Sequence, residues 1–577
     1  MALIAIKAFG GMVPAVDDRL LPDQNAALAQ NSWVYDGKLT GMREPLLVHT
    51  LLDSNTRMVY RIPRHASRAL DIADSYWIEF ADPDTKIVPG GVNSDVDPLY
   101  YWANGTAPPR YNSRSRIIAG TTDLVLGVPA PGTAPTVVPA GGVSGTTETR
   151  AYVYTHVSSF GEEGPPSDPS AVTTGKIDDT WAVTVTAVGG DATDRDLTLT
   201  RIYRTVTSDQ GIATYFFVVE LPIATLAYND TITPAVVVLN EQLTSQEYDP
   251  PPLLLEGFTS MPNGMIIGWE ENHIWFCEPF RPHAWPASYQ LSTQYKIVGI
   301  GVYGQTAVIA TEGIPYVCSG AHPSSMSIVR LTGLAEPCVS AGSVVAAPGG
   351  VYYASPAGLV LVGPNAQTVA TAKLISKTRW QELTVLANIS ATMFQGAYFS
   401  YAGASIGAFE EPAFETTAFS EVDPNGSLNG LMIDTEDARV AVTTLLSTTP
   451  TINVFRDPWT NEVLLIRGGG VYQMDLSSDQ AHGDYLWRSK VYQMKRPTNF
   501  GAAKIYYEDP DGVASPATVL RVYAEGYLIH TATIPASGVM FRLPAGAQYD
   551  NYQFEFEGNQ LITSAHFAST PKELREV

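Results

Sequence analysis

The sequence predicts an all-β protein: an irregular β-propeller-like body that carries an inserted β-sandwich and ends in a C-terminal β segment. Three observations predict it. A hairpin-like unit recurs at a loose period of roughly 40 residues, the length of one propeller blade. Gly (48) and Pro (41) are plentiful without a short period, which calls for many turns rather than collagen or disorder. Tyr (29) outnumbers Phe (19), a strand-friendly bias.

The recurring unit is clearest between Lys296 and Gly320. Two short strands, Thr306–Ala310 and Ile314–Cys318, are expected on either side of Thr311-Glu312-Gly313. Gly313 is expected to supply the permissive backbone of a tight turn, and Pro315 to place the second strand at an edge. Comparable turns fall at positions 272, 313, 358, 396, 437 and 470, at spacings of 41, 45, 38, 41 and 33 residues. A sandwich array is the competing reading, because any all-β chain turns often.

A chain of 577 residues is too long for one core, so several domains are expected. Net charge is −23, which argues against a dedicated nucleic-acid binder, since phosphate neutralisation needs clustered Lys and Arg. A surface of the same sign as DNA would let a strand slide past without holding it. Cys277, Cys318 and Cys338 show no CxxC spacing and read as reduced, buried thiols of a protein made in a cytoplasm. The opening MALIAIKAFGGMVP is broken by Lys7, Gly10-Gly11 and Pro14 and lacks a secretory apolar region. No transmembrane helix is expected.

The chain divides into four expected regions. Residues 1–131 form an N-terminal β region contributing to the body. It holds a strand over Ile4–Phe9, a short helix capped by Asp23 that carries Ala26, Ala27 and Ala29, and a type I′ turn at Asp36-Gly37. Residues 132–250 read as a small sandwich, with Tyr152 and Tyr154 on one face of a strand and Asp249-Pro250-Pro251-Pro252 as a rigid return. Residues 251–486 are the repeating blades. A short helix is expected over Thr371–Leu383 and an exposed loop over Phe409–Asn429. Residues 487–577 form a closing β segment with turns at Glu525-Gly526 and Glu557-Gly558.

The string I-K-A-F-G-G…L-L-P-D-Q-N-A-A-L-A-Q-N…D-G-K-L…R-E-P resembles the opening of the tail nozzle proteins of short-tailed bacteriophages, the tail tubular protein B group. The similarity continues through Tyr76–Phe80, Leu99–Trp102, Leu374–Leu383, Phe394–Tyr398 and Phe554–Leu574, in the same order along the chain. The stretch A-Y-V-Y-T-H-V…G-E-E-G-P-P-S resembles fibronectin type III or immunoglobulin-like inserts of phage structural proteins. The resemblance implies a structural virion protein and not an enzyme. It implies a hexameric ring in the tail, below the head–tail adaptor, with surfaces for fibres or spikes. Viral DNA would pass through its channel without specific binding. Ring closure needs one heterologous interface repeated by rotation.

Candidate sites read as turns or core. Gly299-Ile300-Gly301-Val302-Tyr303-Gly304 matches GxGxxG, but Gly313 and Pro315 leave no room for the helix a dinucleotide site needs. Gly403-Ala404-Ser405-Ile406-Gly407 matches GxSxG, with Pro412 limiting any following helix. Asn93-Ser94-Asp95-Val96-Asp97 alternates oxygen ligands but lacks the glycine and distal Glu of a calcium loop; Asp509-Pro510-Asp511-Gly512 reads as a hairpin turn first. Glu162-Glu163 and Glu410-Glu411 are adjacent, so their side chains point to opposite faces and cannot flank one sugar bond. The nine His, His273 and His283 among them, show no HExxH or HxH spacing. No catalytic residue, cofactor or metal is therefore assigned. The alternative function is a carbohydrate-binding or carbohydrate-cleaving tail component, with Trp269, Trp275 and Trp285 stacking on sugar rings if exposed.

Overall fold

The computed structural model describes residues 3–575 apart from 65–73, 92–95, 208–212, 365–366, 384–388, 403–426, 437–440, 448, 475–479, 511–517 and 545. The fold is all-β, with many antiparallel sheets and only short helices. Among the described residues no helix is long and apolar enough to cross a membrane.

The body is built from four-stranded antiparallel meanders. The first runs from Lys86–Pro89 to Leu124–Val125, the second from Gly257–Ser260 to Leu291–Ser292, the third from Ile297–Tyr303 to Ser327–Arg330 and the fourth from Val345–Ala347 to Gln367–Val369. A fifth, from Ile389–Phe394 to Val442–Ser447, is one end of a ten-stranded sheet that continues through the parallel strand Ala26–Gln30; a sixth starts at Thr451–Arg456 and takes its outer strand, Leu46–Thr50, from the N-terminal region. A hairpin, Met58–Pro63 with Ser75–Phe80, completes the set.

Apolar side chains on both faces of these sheets form cores shared by neighbours, because a sheet must bury its apolar faces against another layer. Met265 and Ile267 of the second meander meet Ile300 and Ile309 of the third. Val308 of the third meets Val351 and Val360 of the fourth. Phe399 of the fifth meets Val454 and Leu465 of the sixth. Leu464 and Ile466 then meet Val59 and Trp77 of the hairpin, Ile62 meets Tyr100 of the first meander, and Tyr101 and Tyr111 share a core with Phe258 and Ile266 of the second. Tyr352 and Leu359 of the fourth share a further core with Ile389 and Tyr398 of the fifth.

The tight turns between strands include several that the sequence marked. Gln395-Gly396, Gly468-Gly469 and Glu525-Gly526 all have positive φ at both residues, the geometry that matches strand twist in a two-residue hairpin.

Within 132–250, the sheet of Thr136–Ala140, Thr180–Thr184 and Ala227–Asp230 faces the sheet of Tyr152–Ser158, Leu197–Thr207 and Ala213–Pro222. Tyr152, Tyr154, Trp181, Val183 and Ile202 fill the space between them. The C-terminal segment is a second two-sheet unit closed by distant strands. Leu3–Ile6 pairs with Leu561–Ala568, and Ala26–Gln30 pairs with Tyr485–Ser489. Phe9, Trp487, Phe554, Phe556 and Phe567 pack between the layers.

Five local expectations are corrected. Ala26–Gln30 is a strand, not a helix: Ala26 and Ala29 are buried where only small side chains fit, and tertiary pairing overrides their helix propensity. Gly313 has no positive φ. Its constraint is the Tyr295 ring, 2.6 Å from where a Cβ would stand. Pro315 does not mark an edge, because Tyr316–Ser319 lies between Thr306–Thr311 and Ser327–Arg330, and the proline precedes the strand. Asp36-Gly37 is not type I′, since only Gly37 has positive φ. The helix expected over 371–383 is confined to Lys377–Leu383. The loop expected over 409–429 and the turn mark at Asp437 lie largely or wholly outside the described residues.

Candidate functional site

Two places in the molecule concentrate buried polar chemistry. The first is the junction between the sandwich and the body. The chain enters the sandwich past Gly127 and leaves it at Pro250-Pro251, and the two segments touch. A Cβ on Gly127 would lie 2.6 Å from Pro251, and its φ of +86° also demands glycine. Arg195 reaches back from the sandwich and donates from Nη1 to the carbonyls of Leu126 (2.8 Å) and Gly127 (2.5 Å). Arg116 of the body pairs with Asp196 at 3.1 Å.

Behind these clamps lies a closed polar cluster. Tyr111, on Arg110–Ser113, donates to Glu162 Oε2 at 2.7 Å, and Ser158 Oγ lies 3.2 Å from the same oxygen. His283 Nδ1 is 3.8 Å from Glu162 Oε1. Burial pushes the Glu162 carboxyl up to about 7, opposed by its bonds to Tyr111 and Ser158. Burial, reinforced by the Arg281 charge, pushes His283 down to about 4. A neutral imidazole beside a carboxyl that gives up its proton only near neutrality is the arrangement that least offends a dry site. Glu162, His283 and Tyr111 are all buried, so the cluster latches two units together and has no exposed face for a substrate.

The second place is a central cavity of about 1150 Å³. Its wall comes from the starting strands of successive sheets, through Met58, Lys86, Ile297, Val345, Thr392 and Val454. Asn453 ties this wall together. Its Nδ2 donates to the Arg57 carbonyl at 2.9 Å and reaches the Pro83 carbonyl at 3.5 Å, while Ser390 Oγ donates to its Oδ1. At the rim Lys296 pairs with Glu256 at 3.1 Å and lies 3.6 Å from Glu271. Inside, the Lys86 ammonium carries its charge into a partly dry space. Burial lowers its pKa from the ordinary value, and the charges of Asp84 and Asp82 push it back up.

The sequence candidates are dispersed among packing roles. Gly299 and Gly301 lie within one strand, where Val344 and Val351 of the next meander leave no room for a side chain. The GxSxG pattern lies outside the described residues, as do 93–95 and 511–512. Asp97 accepts from the Ser115 amide (2.7 Å) and hydroxyl (2.6 Å) at the start of helix Arg114–Ile118, and Asp509 accepts from Gln560 at 3.1 Å. Glu162 and Glu163 diverge: Glu163 binds Thr155, Arg201 and Tyr203 on the other side of the strand. His273 meets Ser292. The described residues hold no group of three His, Cys, Asp or Glu arranged for a metal. Burial raises the pKa of all three thiols, to about 12 for Cys277 and Cys318 and about 11 for Cys338. Trp269 and Trp285 are core residues, and Trp275 packs against the same core as Trp285. Lys86 and Asn453 escaped sequence reasoning. A single Lys heading the strand K-I-V-P and a single Asn in T-I-N-V-F carry no local signal.

No protein-family model matches the chain, and no curated protein matches it. Among solved structures it shares 8% identity with Hsv2 of Kluyvelomyces marxianus, at a TM-score of 0.23, over 54% of this chain and 91% of that one. It shares 10% identity with the extracellular domain of BT4673 from B. thetaiotaomicron, at a TM-score of 0.21, over 95% of this chain and 82% of that one. Likeness at these scores carries no argument about fold or function.

Proposed function

We propose that the protein is a structural virion component, the ring-forming subunit of the tail nozzle of a short-tailed bacteriophage. On this reading the meanders form a propeller-like body, and rings of copies build a channel below the head–tail adaptor. Side surfaces take fibres or spikes, and the acidic surface lets DNA pass without adhesion. The observation that carries the reading is the clamp at the sandwich junction. Arg195 on the Leu126 and Gly127 carbonyls, with Gly127 pressed on Pro250-Pro251, makes the inserted module continuous with the body. A module that swung on a flexible linker would serve capture of a partner; one fixed this closely serves a wall that must hold its shape. The sugar-stacking alternative loses support, because Trp269 and Trp285 are buried.

The test is native mass spectrometry and electron microscopy of the purified chain, alone and with the head–tail adaptor of the same phage. A closed ring seated on the adaptor is the expected result. A chain that stays monomeric in the adaptor's presence overturns the proposal.

A further inference from the structure

We propose that the central cavity is a binding site for a small molecule bearing an oxyanion, a phosphate or a short carboxylate, held by Lys86. This goes beyond the nozzle reading and does not depend on it.

Three observations converge on Lys86. Among the described residues its Nζ shows no hydrogen bond or ion pair, and the charges that act on it are those of Asp84 and Asp82. By contrast the rim cations are engaged: Lys296 with Glu256 and Glu271, Arg57 with the carbonyls of Ser54 and Thr56, and Arg456 with that of Asn461. The passage for the Lys86 stem is also built. It lies across Gly257, where a Cβ would stand 2.9 Å from Lys86 Cγ and 2.6 Å from the Trp269 ring, so any larger residue would push the stem aside. Finally, Asp84 and Asp82 act on Lys86 through charge alone, and much of the surrounding wall is apolar. Met58, Ile297, Val345 and Val454 are apolar, and Asn453 and Ser340 spend their donors on main-chain carbonyls, Ser340 on that of Ile389 at 2.9 Å.

An ammonium with open donors in such a wall forms stronger charge-assisted hydrogen bonds than it would in bulk water, and an anion is the acceptor that suits them. The carboxylates at the rim, Asp84, Glu256 and Glu312, favour a small occupant that passes them over a long polyanion, which they would repel. The volume suits a molecule of metabolite size.

Isothermal titration of the full chain tests this, using inorganic phosphate in one arm and succinate in the other, at ionic strength held constant with chloride. Saturable binding of at least one anion with a Kd of about 1 mM or tighter is expected. Lys86→Met keeps an unbranched stem over Gly257 and should weaken binding at least about tenfold, since a hydrogen bond to a charged group carries that much. Lys296→Met at the rim should change it less than about threefold, as expected of an exposed charge. Far-UV circular dichroism and an unchanged or raised Tm for Lys86→Met would show that its fold is intact. Absence of saturable binding by both anions overturns the proposal. So does binding that survives Lys86→Met, or that is lost instead in Lys296→Met.

Discussion

Tyr111 donates its hydroxyl proton to Glu162 at 2.7 Å, across the boundary between the body and the inserted sandwich. One partner belongs to a meander strand and the other to a loop of the insert, so the bond joins the two units alongside the Arg195 clamp and the Arg116–Asp196 pair. Removing the donor should therefore loosen the junction more than it disturbs either unit. Tyr111→Phe leaves a buried carboxyl short of a partner and should cost about 1–3 kcal/mol, read as a lower unfolding midpoint in urea. Proteinase K, which needs no basic residue, should cut near residue 130 sooner in the variant than in the wild type.

Glu162 also fixes a pH dependence. Its folded pKa, about 7, stands above its ordinary value of 4.5, so the folded state holds the proton more tightly than the unfolded state. The resulting stability is fully present below about pH 4.5 and is lost as pH rises to 7, a change of about 3 kcal/mol. His283 works in the opposite sense: its folded pKa, about 4 against 6.5, gives stability that is present above pH 6.5 and lost as pH falls to 4. The two largely cancel in the wild type between pH 4.5 and 6.5. The difference in Tm between wild type and Glu162→Gln isolates the carboxyl, and the wild type should lose ground to the variant as pH rises from 5 towards 7. A difference that is flat with pH would contradict the assignment.

Asp230 is the hub of the sandwich interior. It accepts from Arg150 at 3.1 Å, Arg204 at 2.6 Å and Tyr152 at 2.7 Å, and Asp230 and both guanidinium groups are buried. Asp230→Asn leaves the buried Arg204 without its counter-charge and Arg150 with Glu148 alone, and should cost about 3–5 kcal/mol. Limited proteolysis should show new cleavage confined to 132–250, with the body still protected, since the two cores are separate.

Asn453 spans the cavity wall to the Arg57 and Pro83 carbonyls. Asn453→Ala strands both carbonyl acceptors, while Ser390 keeps its bonds to Val454, a loss of about 1–3 kcal/mol. Hydrogen exchange should quicken in Met58–Pro63 and Thr451–Arg456, the strands whose neighbourhood it ties, while exchange in the C-terminal unit stays unchanged.

Much of the local structure was legible in the sequence. Gln395-Gly396 and Glu525-Gly526 declared their hairpins, because positive φ at both central residues selects so few residue pairs. Tyr152 and Tyr154 declared one face of their strand, because a strand alternates and two large rings need the same core. The candidate sites were less legible. Glu162 announced a carboxyl beside a carboxyl, but its partners Tyr111 and His283 lie in other sheets.

What the sequence by itself determined was the all-β class and the positions of many turns, since alternation, glycine and β-branching act within a few residues. Only the tertiary structure decided that Ala26–Gln30 is a strand, that Leu46–Thr50 completes a sheet begun at Thr451, and that Lys86 lines a cavity. Each depends on which distant strand edge or side chain is left vacant once the cores have packed, and the free energy of filling that vacancy leaves no mark on the neighbouring residues in the chain.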